Sequence, residues 1–375
     1  MNADVAVIGL GTIGSLTAWK LASRGVSVLG FEQYGLAHDR SAHGGGSRRF
    51  VVAAQVENQT EYTLASYHDY RDLERETGQE LLSFGGTLTI GDPDTDRMKN
   101  VIKNAEKFNL PYEVLDEHEA AKRFPHHKLL PGEVIILDKL GGVLRPEQTI
   151  VTANNRARQL GATLHTYTKV KEILPDSTGV TIITEDENTY RVGKVIVTTG
   201  PWADELVPEL RDYFSVHQII MNWFIPEDPS GFEEERFPNF SRVSEDQHII
   251  GTPPIDGRLV RVSHGRGIQE IESAEDYNKN IPVEKSYELR KAIGQLIPNL
   301  NPDPVMTLAF MDGHMEDYSP VVGPLSKNKN VILATGMSGS GISIGPAMSE
   351  IAVDYALEND LSFDIQQVTP ARFKL

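Results

Sequence analysis

The residues with the most specific chemistry are three glycines, Gly9, Gly11 and Gly14, which directly follow an apolar run at 5–8. Such a run is typical of a buried parallel strand, and the glycine spacing predicts a tight turn into a helix at 15–23. Gly9 allows the turn, Gly11 lets the backbone approach a pyrophosphate, and Gly14 lets the helix pack close to the strand. Because a helix N-terminus attracts anions, this segment predicts dinucleotide binding.

An acidic residue at the end of the next strand strengthens this interpretation. The apolar run at 26–31 predicts that strand, and Glu32 follows it, eighteen positions after Gly14. A carboxylate at this place can accept hydrogen bonds from the hydroxyls of an adenosine ribose. The alternative is a strand–helix–strand unit that binds no ligand, since glycine-rich turns also occur by chance.

Three later segments could face the same ligand. Residues 41–49 combine three consecutive glycines with two arginines, which suits close contact with a flat ligand; a flexible surface loop is the alternative. Residues 194–202 predict a buried strand that ends in a small-residue turn, at the sheet edge where ligands of parallel sheets bind. Residues 330–341 predict a further strand and glycine turn, and the helix predicted at 346–358 can also point its N-terminus at a cofactor.

Composition argues against several classes of function. The chain has 375 residues, 39% of them hydrophobic, which is typical of a globular protein with two domains. Its formal charge of −17 argues against nucleic acid or an anionic membrane as a partner. No apolar run is long enough to span a membrane, and no basic segment precedes an apolar core at the N-terminus, so we expect a cytoplasmic location.

Cysteine and histidine usage limits the covalent and metal chemistry. The sequence contains no cysteine, which excludes disulfides, thiolate metal sites and a sulfur link to a flavin. His126 and His127 are adjacent, and neighbouring side chains point apart, so this pair does not predict a metal site.

The order of the motifs carries a family resemblance. The glycine turn with Glu32, the loop at 41–49, Thr199-Gly200-Pro201-Trp202 and the turn at 336–341 resemble the FAD-dependent amine oxidases related to monomeric sarcosine oxidase, N-methyltryptophan oxidase and bacterial fructosyl amino acid oxidases. The resemblance covers essentially the whole chain, and a relative of glycine oxidase or D-amino-acid oxidase is the next nearest interpretation. It implies bound FAD, a small-molecule amine and O2 as reaction partners, no metal, and a monomer or weak homodimer. The residues implied for FAD binding are Gly9, Gly11, Thr12, Ile13, Gly14, Glu32, Gln33, Ser41, Gly45, Ser47, Arg48, Val170, Thr199, Gly200, Trp202, Ser338, Gly339, Ser340, Gly341 and Ile342.

The resemblance and the order of strands and helices together predict the fold. We expect an α/β fold of the two-domain α+β kind, in which a Rossmann-like FAD-binding domain carries an inserted, mostly antiparallel β-sheet domain for the substrate. The FAD-binding domain is predicted at 1–85, 144–215 and 317–375, and the substrate domain at 86–143 and 216–316. Residues 82–91 alternate as a single strand would.

Several positions depart from the family's pattern in an ungapped comparison. The cysteine that holds the flavin in sarcosine oxidase corresponds to Phe310, so FAD is expected to bind without a covalent link. The lysine that helps bind the substrate carboxylate corresponds to Ser343, and a tyrosine corresponds to Asp312. The lysine that helps activate oxygen corresponds to Val260. Arg261 follows it, but neighbouring strand residues point to opposite faces, so Arg261 could substitute only if the register shifts by one.

The resemblance also implies the reacting residues. His264 corresponds to the histidine beside the flavin; a buried structural histidine is the alternative. The residues implied for catalysis are His264, Asp312 and Arg261, and those implied for substrate binding are Ser343, Asp312 and Ile249.

The reaction implied is flavin-dependent oxidation of the C–N bond of a secondary amine, giving an imine that hydrolyses, and hydrogen peroxide. Loss of the carboxylate lysine and gain of Asp312 and Ser343 favour a substrate rich in hydroxyls, such as a fructosyl amino acid. Oxidation of sarcosine, of another N-methyl amino acid or of a D-amino acid is the alternative within this chemistry. Two alternatives belong to other classes of function. One is a flavin dehydrogenase that uses an acceptor other than oxygen, and the other is a protein that binds FAD without catalysis.

The missing cysteine gives a first testable prediction. Acid precipitation of the yellow protein will release the flavin into the supernatant, because the chain has no cysteine thiol to hold it covalently. The measurement is the flavin absorbance of supernatant and pellet. Flavin that stays with the washed pellet would show a covalent link through another residue type and contradict the prediction.

Overall fold

The computed structural model describes residues 1–244, 247–265 and 268–375, which form twenty strands and eight α-helices. The strands are β1 (Ala3–Ile8), β2 (Val28–Phe31), β3 (Arg48–Phe50), β4 (Leu82–Ser83), β5 (Thr87–Gly91), β6 (Tyr112–Leu115), β7 (Val134–Asp138), β8 (Gly142–Leu144), β9 (Thr163–His165), β10 (Val170–Asp176), β11 (Gly179–Thr184), β12 (Thr189–Val197), β13 (Phe214–Phe224), β14 (Asn239–Val243), β15 (His248–Thr252), β16 (Val260–His264), β17 (Ile268–Ile271), β18 (Met306–Met315), β19 (Val321–Pro324) and β20 (Val331–Thr335). The helices are α1 (Thr12–Ser23), α2 (Glu57–Thr77), α3 (Asp96–Lys107), α4 (Glu117–Arg123), α5 (Pro146–Gln159), α6 (Ala203–Leu206), α7 (Tyr287–Leu296) and α8 (Gly341–Leu357).

The first sheet has eight strands and a parallel centre. Its order is β10-β11-β12-β1-β2-β9, and β20 pairs with both β12 and β19. Strands β9, β2, β1, β12 and β20 run parallel. Strand β1 is buried on both faces, which requires the apolar run that the sequence has there. Because the strands are parallel, β1, β2 and β12 end at the same edge of the sheet.

Helices cover one face of this sheet. Helix α1 packs against both α5 and α8, and a shared core includes Leu16 and Leu21 of α1, Ala153 of α5 and Ile351 of α8. This helix begins at Thr12, three residues earlier than expected, because the glycine turn leads directly into it. The parallel centre and its helices agree with the predicted α/β class.

The second sheet has nine strands and is antiparallel apart from the β14–β5 pair. Its order is β17-β13-β16-β15-β14-β5-β7-β6, with β18 beside β13. One face packs on α7, where Val260 and Val262 of β16 share a core with Leu289 and Ile293. Successive strand residues alternate between faces, so the odd-numbered residues of β16 lie on the opposite face.

The alternating segment at 82–91 is divided between two sheets. Strand β4 belongs to a three-stranded sheet, β3-β8-β4, whereas β5 joins the nine-stranded sheet. The prediction of one continuous strand is therefore wrong. The break lies at Gly85 and Gly86, where Gly86 has a φ of 89° and a Cβ on Gly85 would lie 2.2 Å from the Glu234 side chain. The predicted domain boundaries, of which one falls here, stay a prediction.

Helix α8 starts at Gly341 and not at the predicted residue 346, because a tertiary hydrogen bond compensates for a proline inside it. Pro346 has no N–H to donate to the carbonyl four residues earlier, which is that of Ile342. The hydroxyl of Tyr70 in α2 donates to this carbonyl at 2.5 Å. The helix can therefore extend back to the glycine turn.

Removing this hydroxyl should destabilise the protein. Tyr70 is fully buried, and Tyr70→Phe leaves the Ile342 carbonyl without a donor, which costs about 1–3 kcal/mol. The measurement is the free energy of unfolding in urea. Tyr287→Phe is the matched control, because Tyr287 is 49% exposed and should change stability little. Equal stability of the two variants would mean that another donor replaces Tyr70.

Candidate active site

A cavity of about 580 Å³ is lined by residues of both large sheets. Ile8 and Phe31 contribute from the ends of β1 and β2 in the first sheet. Met221, Ile250 and Arg261 contribute from the second sheet. The cavity therefore begins at the carboxyl edge of the parallel strands, where ligands of such sheets bind, and extends to the antiparallel sheet.

The first glycine turn is shaped by close backbone contacts. Gly9 has a φ of 89°, and a Cβ on it would lie 2.7 Å from the Thr198 carbonyl oxygen. A Cβ on Gly14 would lie 1.8 Å from the carbonyl oxygen of Gly9, so this glycine is required for packing and does not line the cavity. Gly11, Thr12 and Ile13 do line it. Helix α1 has no side-chain N-cap and no acidic residue in its first turn, which leaves N–H donors for an anion.

Glu32 is held by the backbone beside this turn. Its Oε2 accepts the Leu10 N–H at 2.9 Å, and its Oε1 accepts the Tyr34 N–H at 3.0 Å. Burial raises the pKa of Glu32 despite these hydrogen bonds. Gln33 and Val170, which are predicted to contact the adenosine end of the cofactor, also line the cavity.

The second glycine turn places another helix N-terminus at the cavity. Ser338 and Gly339 have φ of 49° and 88°, which allows the chain to reverse from β20 into α8. Helix α8 also lacks a side-chain N-cap and an acidic first turn. The predicted cofactor residues that line the cavity here are Ser338, Gly339, Ser340, Gly341 and Ile342, together with Thr199, Gly200 and Trp202 of the neighbouring turn.

The loop at 41–49 contributes Ser41 and Arg48 to the cavity wall. Arg48 is fixed by the loop itself, since its Nη2 donates to the carbonyls of Ala42 and Gly44 at 2.5 Å each. Burial lowers the pKa of Arg48 to about 10. This arginine is a positive charge whose position the backbone determines.

Two residues of this loop do not line the cavity, which corrects their predicted cofactor contact. The N–H of Gly45 donates to the Glu147 carboxylate at 2.7 Å, and the Ser47 hydroxyl hydrogen-bonds with that of Thr252 at 2.9 Å. The reason is the left-handed backbone at Gly45, with a φ of 101°, which turns this part of the loop away. Sequence spacing does not reveal such a turn.

Arg261 faces the cavity, whereas Val260 lies in the core beneath α7. Of these two neighbours, Arg261 is therefore the one that a ligand in the cavity can contact, and its correspondence to the family's lysine stays a prediction. Within the described part of the chain, its guanidinium reaches Thr252 Oγ1 and Met221 Sδ, each at 3.3 Å. Burial, followed by the positive charge of Arg48, lowers the pKa of Arg261.

The same alternation corrects Ile249. This residue is 1% exposed and belongs to the core beneath α7, while its neighbours His248 and Ile250 line the cavity. Ile249 pairs with His264 across β15 and β16, so the two share a sheet face. A direct substrate contact from Ile249 is excluded by this geometry.

His264 borders the cavity at the end of β16, but its register differs from that of Arg261. Its pairing with Ile249 places it on the face of Val262, and the charge that acts on it most is that of Glu288 in α7. Burial lowers the pKa of His264. Its catalytic role stays a prediction that this geometry does not favour.

Asp312 and Ser343, which are predicted to bind substrate, both line the cavity. The Ser343 hydroxyl donates to the Arg49 carbonyl at 3.2 Å. Asp312 Oδ2 lies 3.1 Å from Nε2 of His314, which also lines the cavity. Phe310 is buried against Gly44 and Trp223 in place of the family's flavin-linking cysteine.

Sequence reasoning missed several cavity residues. His314 could have been found, because it follows Asp312 by two residues in one strand and therefore shares its face. Arg49 belongs to the loop at 41–49, but its residue type and spacing alone do not predict a role for it. His38 lies outside every predicted motif and His43 lies in the loop at 41–49, and their rings come together only in the fold, with centroids 5.1 Å apart.

These features fit FAD. Two helix N-termini suit a pyrophosphate, the Glu32 carboxylate suits ribose hydroxyls, and the glycine turns leave room for a ligand close to the backbone. The described residues contain no cluster that could hold a metal ion. His126 and His127 stack on Phe232 and Phe237, as structural histidines do.

Comparison with known proteins assigns the family. Residues 4–355 match the family model described as FAD dependent oxidoreductase. The chain belongs to this family. Over 378 residues this FAD-dependent oxidoreductase is 30% identical to a monomeric sarcosine oxidase of Streptomyces avermitilis. The match covers 98% of this chain and 97% of the relative. It is 25% identical to an N-methyl-L-tryptophan oxidase of Yersinia pestis, and the match covers 100% of each chain.

Solved structures show the same fold. NikD, an unusual amino acid oxidase essential for nikkomycin biosynthesis, matches in its open form with a TM-score of 0.86 and 22% identity over 98% of this chain and 97% of that one. An L-proline dehydrogenase from P. horikoshii matches with a TM-score of 0.87 and 20% identity over 100% and 98%. These likenesses confirm the predicted fold class.

Family membership confirms the predicted resemblance, FAD as the cofactor and oxidoreductase as the class of enzyme. The roles of individual residues, the oligomeric state and the cytoplasmic location stay predictions. Among the described residues, no helix combines the length and apolar character that membrane crossing requires.

Glu32 gives a pH-dependent prediction for the FAD-free protein. Because its folded pKa is raised, the folded state holds a proton that the unfolded state has lost, so this residue's contribution to stability falls as pH rises. In urea unfolding, wild type will therefore lose stability relative to Glu32→Gln as the pH rises above 4.5, the ordinary pKa of glutamate. Glu172→Gln, at an exposed position of β10, should show no such trend.

The same substitution should weaken FAD binding. Loss of a charge-assisted hydrogen bond costs about 1.5–3 kcal/mol, or about 10–100-fold in Kd. Flavin fluorescence titration measures this. Unchanged affinity in Glu32→Gln would contradict the ribose contact.

Proposed function

We propose that the protein oxidises the C–N bond of a secondary amine in an N-substituted amino acid and passes the electrons to O2. The observation that carries this proposal is the buried guanidinium of Arg261 on the cavity wall. The two relatives reported above act, by name, on sarcosine and on N-methyl-L-tryptophan, both of which are N-methyl amino acids.

Arg261 is suited to bind the substrate carboxylate. It is 3% exposed, and its two partners among the described residues are a hydroxyl and a thioether, neither of which carries charge. A buried charge without a charged partner is costly, and an arginine fork matches a carboxylate in geometry. Glu147 acts on this arginine electrostatically, but neither of its hydrogen-bond partners is charged, and a carboxylate ligand would add a negative charge in direct contact.

Arg49 adds to this positive region. It lines the cavity, its Nη1 donates to the Phe240 carbonyl at 3.4 Å, and burial lowers its pKa to about 10. Arg49 and Arg261 act on each other electrostatically. An anionic substrate would relieve this repulsion, which supports an amino acid over an uncharged amine.

The chemistry then needs little from the side chains beyond orientation. Bound FAD supplies the hydride acceptor, and the protein holds the amine and the adjacent C–H in place. Arg261 would fix the carboxylate end of the substrate, and Asp312 with His314 would face its nitrogen or its substituent.

A fructosyl amino acid is the finer proposal for the substrate. Polar side chains that could receive a hydroxyl-rich substituent line the cavity, among them Gln55, Gln59, Asp312 and Ser343. A polyol substituent could hydrogen-bond to these side chains, whereas a small N-methyl group offers them no polar atom. Sarcosine is the comparison substrate, because it tests the simpler alternative directly.

Substitution of Arg261 tests the carboxylate contact. In Arg261→Met, the Kd for fructosyl-valine from anaerobic flavin reduction should rise about 10–100-fold, since a charge-assisted hydrogen bond of about 1.5–3 kcal/mol is lost. Arg261→Lys keeps the charge without the fork and should lie between this variant and wild type. Arg258→Met is the matched control at an exposed arginine.

The reaction of the reduced flavin with oxygen distinguishes carboxylate binding by Arg261 from the oxygen-activating role that the family resemblance implies. If Arg261 replaces the family's oxygen-site lysine, Arg261→Met would slow reoxidation of the reduced flavin by O2 and leave the substrate Kd unchanged. That result would contradict the carboxylate proposal. Peroxide formed from sarcosine but not from fructosyl-valine or fructosyl-lysine would contradict the finer substrate proposal. If no amine bleaches the flavin, both the proposed amine oxidation and the finer substrate proposal are wrong.

A further inference from the structure

Arg49 lines the cavity with most of its hydrogen-bonding capacity unused. A guanidinium has several N–H donors, and among the described residues this one makes a single hydrogen bond, from Nη1 to the Phe240 carbonyl at 3.4 Å. Nε and Nη2 make none, and neither of these nitrogens is fully buried. Because the side chain is half-buried and lines the cavity, a ligand there can reach these donors.

The charge beside Arg49 is of the same sign. Burial lowers the pKa of Arg49, and the positive charge of Arg97 in α3 lowers it further. Arg97 is held against the nine-stranded sheet, because its Nη2 donates to the Ser241 hydroxyl at 2.8 Å. In the part of the chain that the structure describes, no carboxylate forms an ion pair with Arg49.

The carboxylates that act on the other cavity arginines do not act on Arg49. Glu147 acts on both Arg48 and Arg261, and Asp312 acts on Arg48. The charge that acts on Arg49 comes from a cation alone. A cation that is partly removed from water and lacks a counter-charge is costly, so an anionic group of a ligand would be favourable at this guanidinium.

The contact with Phe240 places the Arg49 guanidinium against the sheet that carries Arg261. Phe240 of β14 pairs with Gly251 of β15, which in turn pairs with Val262 of β16. Since neighbouring strands lie about 4.8 Å apart, the Phe240 carbonyl is about 10 Å from β16. Arg49, which reaches β14, and Arg261, which extends from β16, can therefore bind opposite ends of one short ligand.

We propose that Arg49 binds a second carboxylate of the substrate, and that the substrate class is N-substituted amino acids with two carboxylates. This inference rests on the proposed function, in which Arg261 binds the first carboxylate. Two arginine forks at opposite ends of a ligand select both its charge and the distance between its carboxylates. Fructosyl-glutamate would satisfy both arginines and leave its polyol for the polar side chains of the cavity wall.

Binding of unreactive anions tests the second contact without turnover. Glutarate and its half-amide, glutaramate, are similar in size and shape, but glutaramate has a neutral amide in place of one carboxylate. With the holoenzyme at pH 7, where carboxylates are ionised, glutarate should bind about 10–100-fold more tightly, because it forms a second charge-assisted hydrogen bond. The measurement is the Kd from the change in flavin absorbance. Equal Kd values for the two anions would overturn the proposal.

Substitution of Arg49 assigns this preference to one side chain. In Arg49→Met, the ratio of the two Kd values should fall close to one. Arg49→Gln also lacks the charge, should behave alike, and serves if the methionine variant does not fold. Arg211→Met is the matched control at an exposed arginine and should keep the wild-type ratio. A wild-type ratio in the Arg49 variants would show that another cation binds the second carboxylate, which overturns the proposal.

Turnover connects the second contact to the reaction. The second-order rate constant for anaerobic flavin reduction should be about 10–100-fold higher with fructosyl-glutamate than with fructosyl-glutamine, and Arg49→Met should remove this preference. N-methylglutamate and N-methylglutamine, measured in parallel, test the same preference without the polyol. Equal rate constants within both pairs would overturn the proposed substrate class. If no amine reduces the flavin, the proposed function fails, whereas the Kd ratio of glutarate and glutaramate still decides whether the second carboxylate site exists.

Discussion

The close contact between Gly9 and the end of β12 is the constraint on which the site depends. A Cβ at Gly9 would lie 2.7 Å from the Thr198 carbonyl, and the Thr198 hydroxyl donates to the carbonyls of Ile8 at 3.0 Å and Gly9 at 2.6 Å. These bonds hold the end of β1 against β12. Because α1 starts at the same turn, these bonds also fix the N-terminus of α1 at the sheet edge. The position of the cofactor site depends on this N-terminus.

The antiparallel sheet separates the residues that pack in the core from those that face the cavity. Its strands alternate between a face that packs on α7 and a face that borders the cavity. Arg261 and Asp312 lie on the cavity face, while Val260 and Val262 lie in the core. The apolar face stabilises the sheet, so the polar face can hold groups that would be costly without a ligand. Packing and function therefore use the same strands without competing for the same positions.

This division between a core face and a cavity face also explains which features of the site could be predicted from the sequence. The glycine turns and Glu32 could be predicted, because each requires a residue type at a local spacing. The contacts of Ile249 and Arg261 could not, because a shift of one residue in strand register exchanges the two faces. The start of α8 depends on Tyr70, which is far away in sequence and supplies the hydrogen bond that Pro346 cannot. His314 could have been predicted from the alternation within its own strand, because it shares a face with Asp312.

The thioether next to Arg261 has a chemical consequence. The chain has no cysteine, so methionine sulfur is its most oxidisable group, and Met221 places one 3.3 Å from the Arg261 guanidinium. An oxidase that releases hydrogen peroxide into this cavity would expose that sulfur to its own product. Oxidation to the sulfoxide would replace a weak acceptor with a strongly polar oxygen, which would compete with the substrate for the arginine. The loss of activity of such an enzyme would then depend on the number of turnovers and not on the time elapsed.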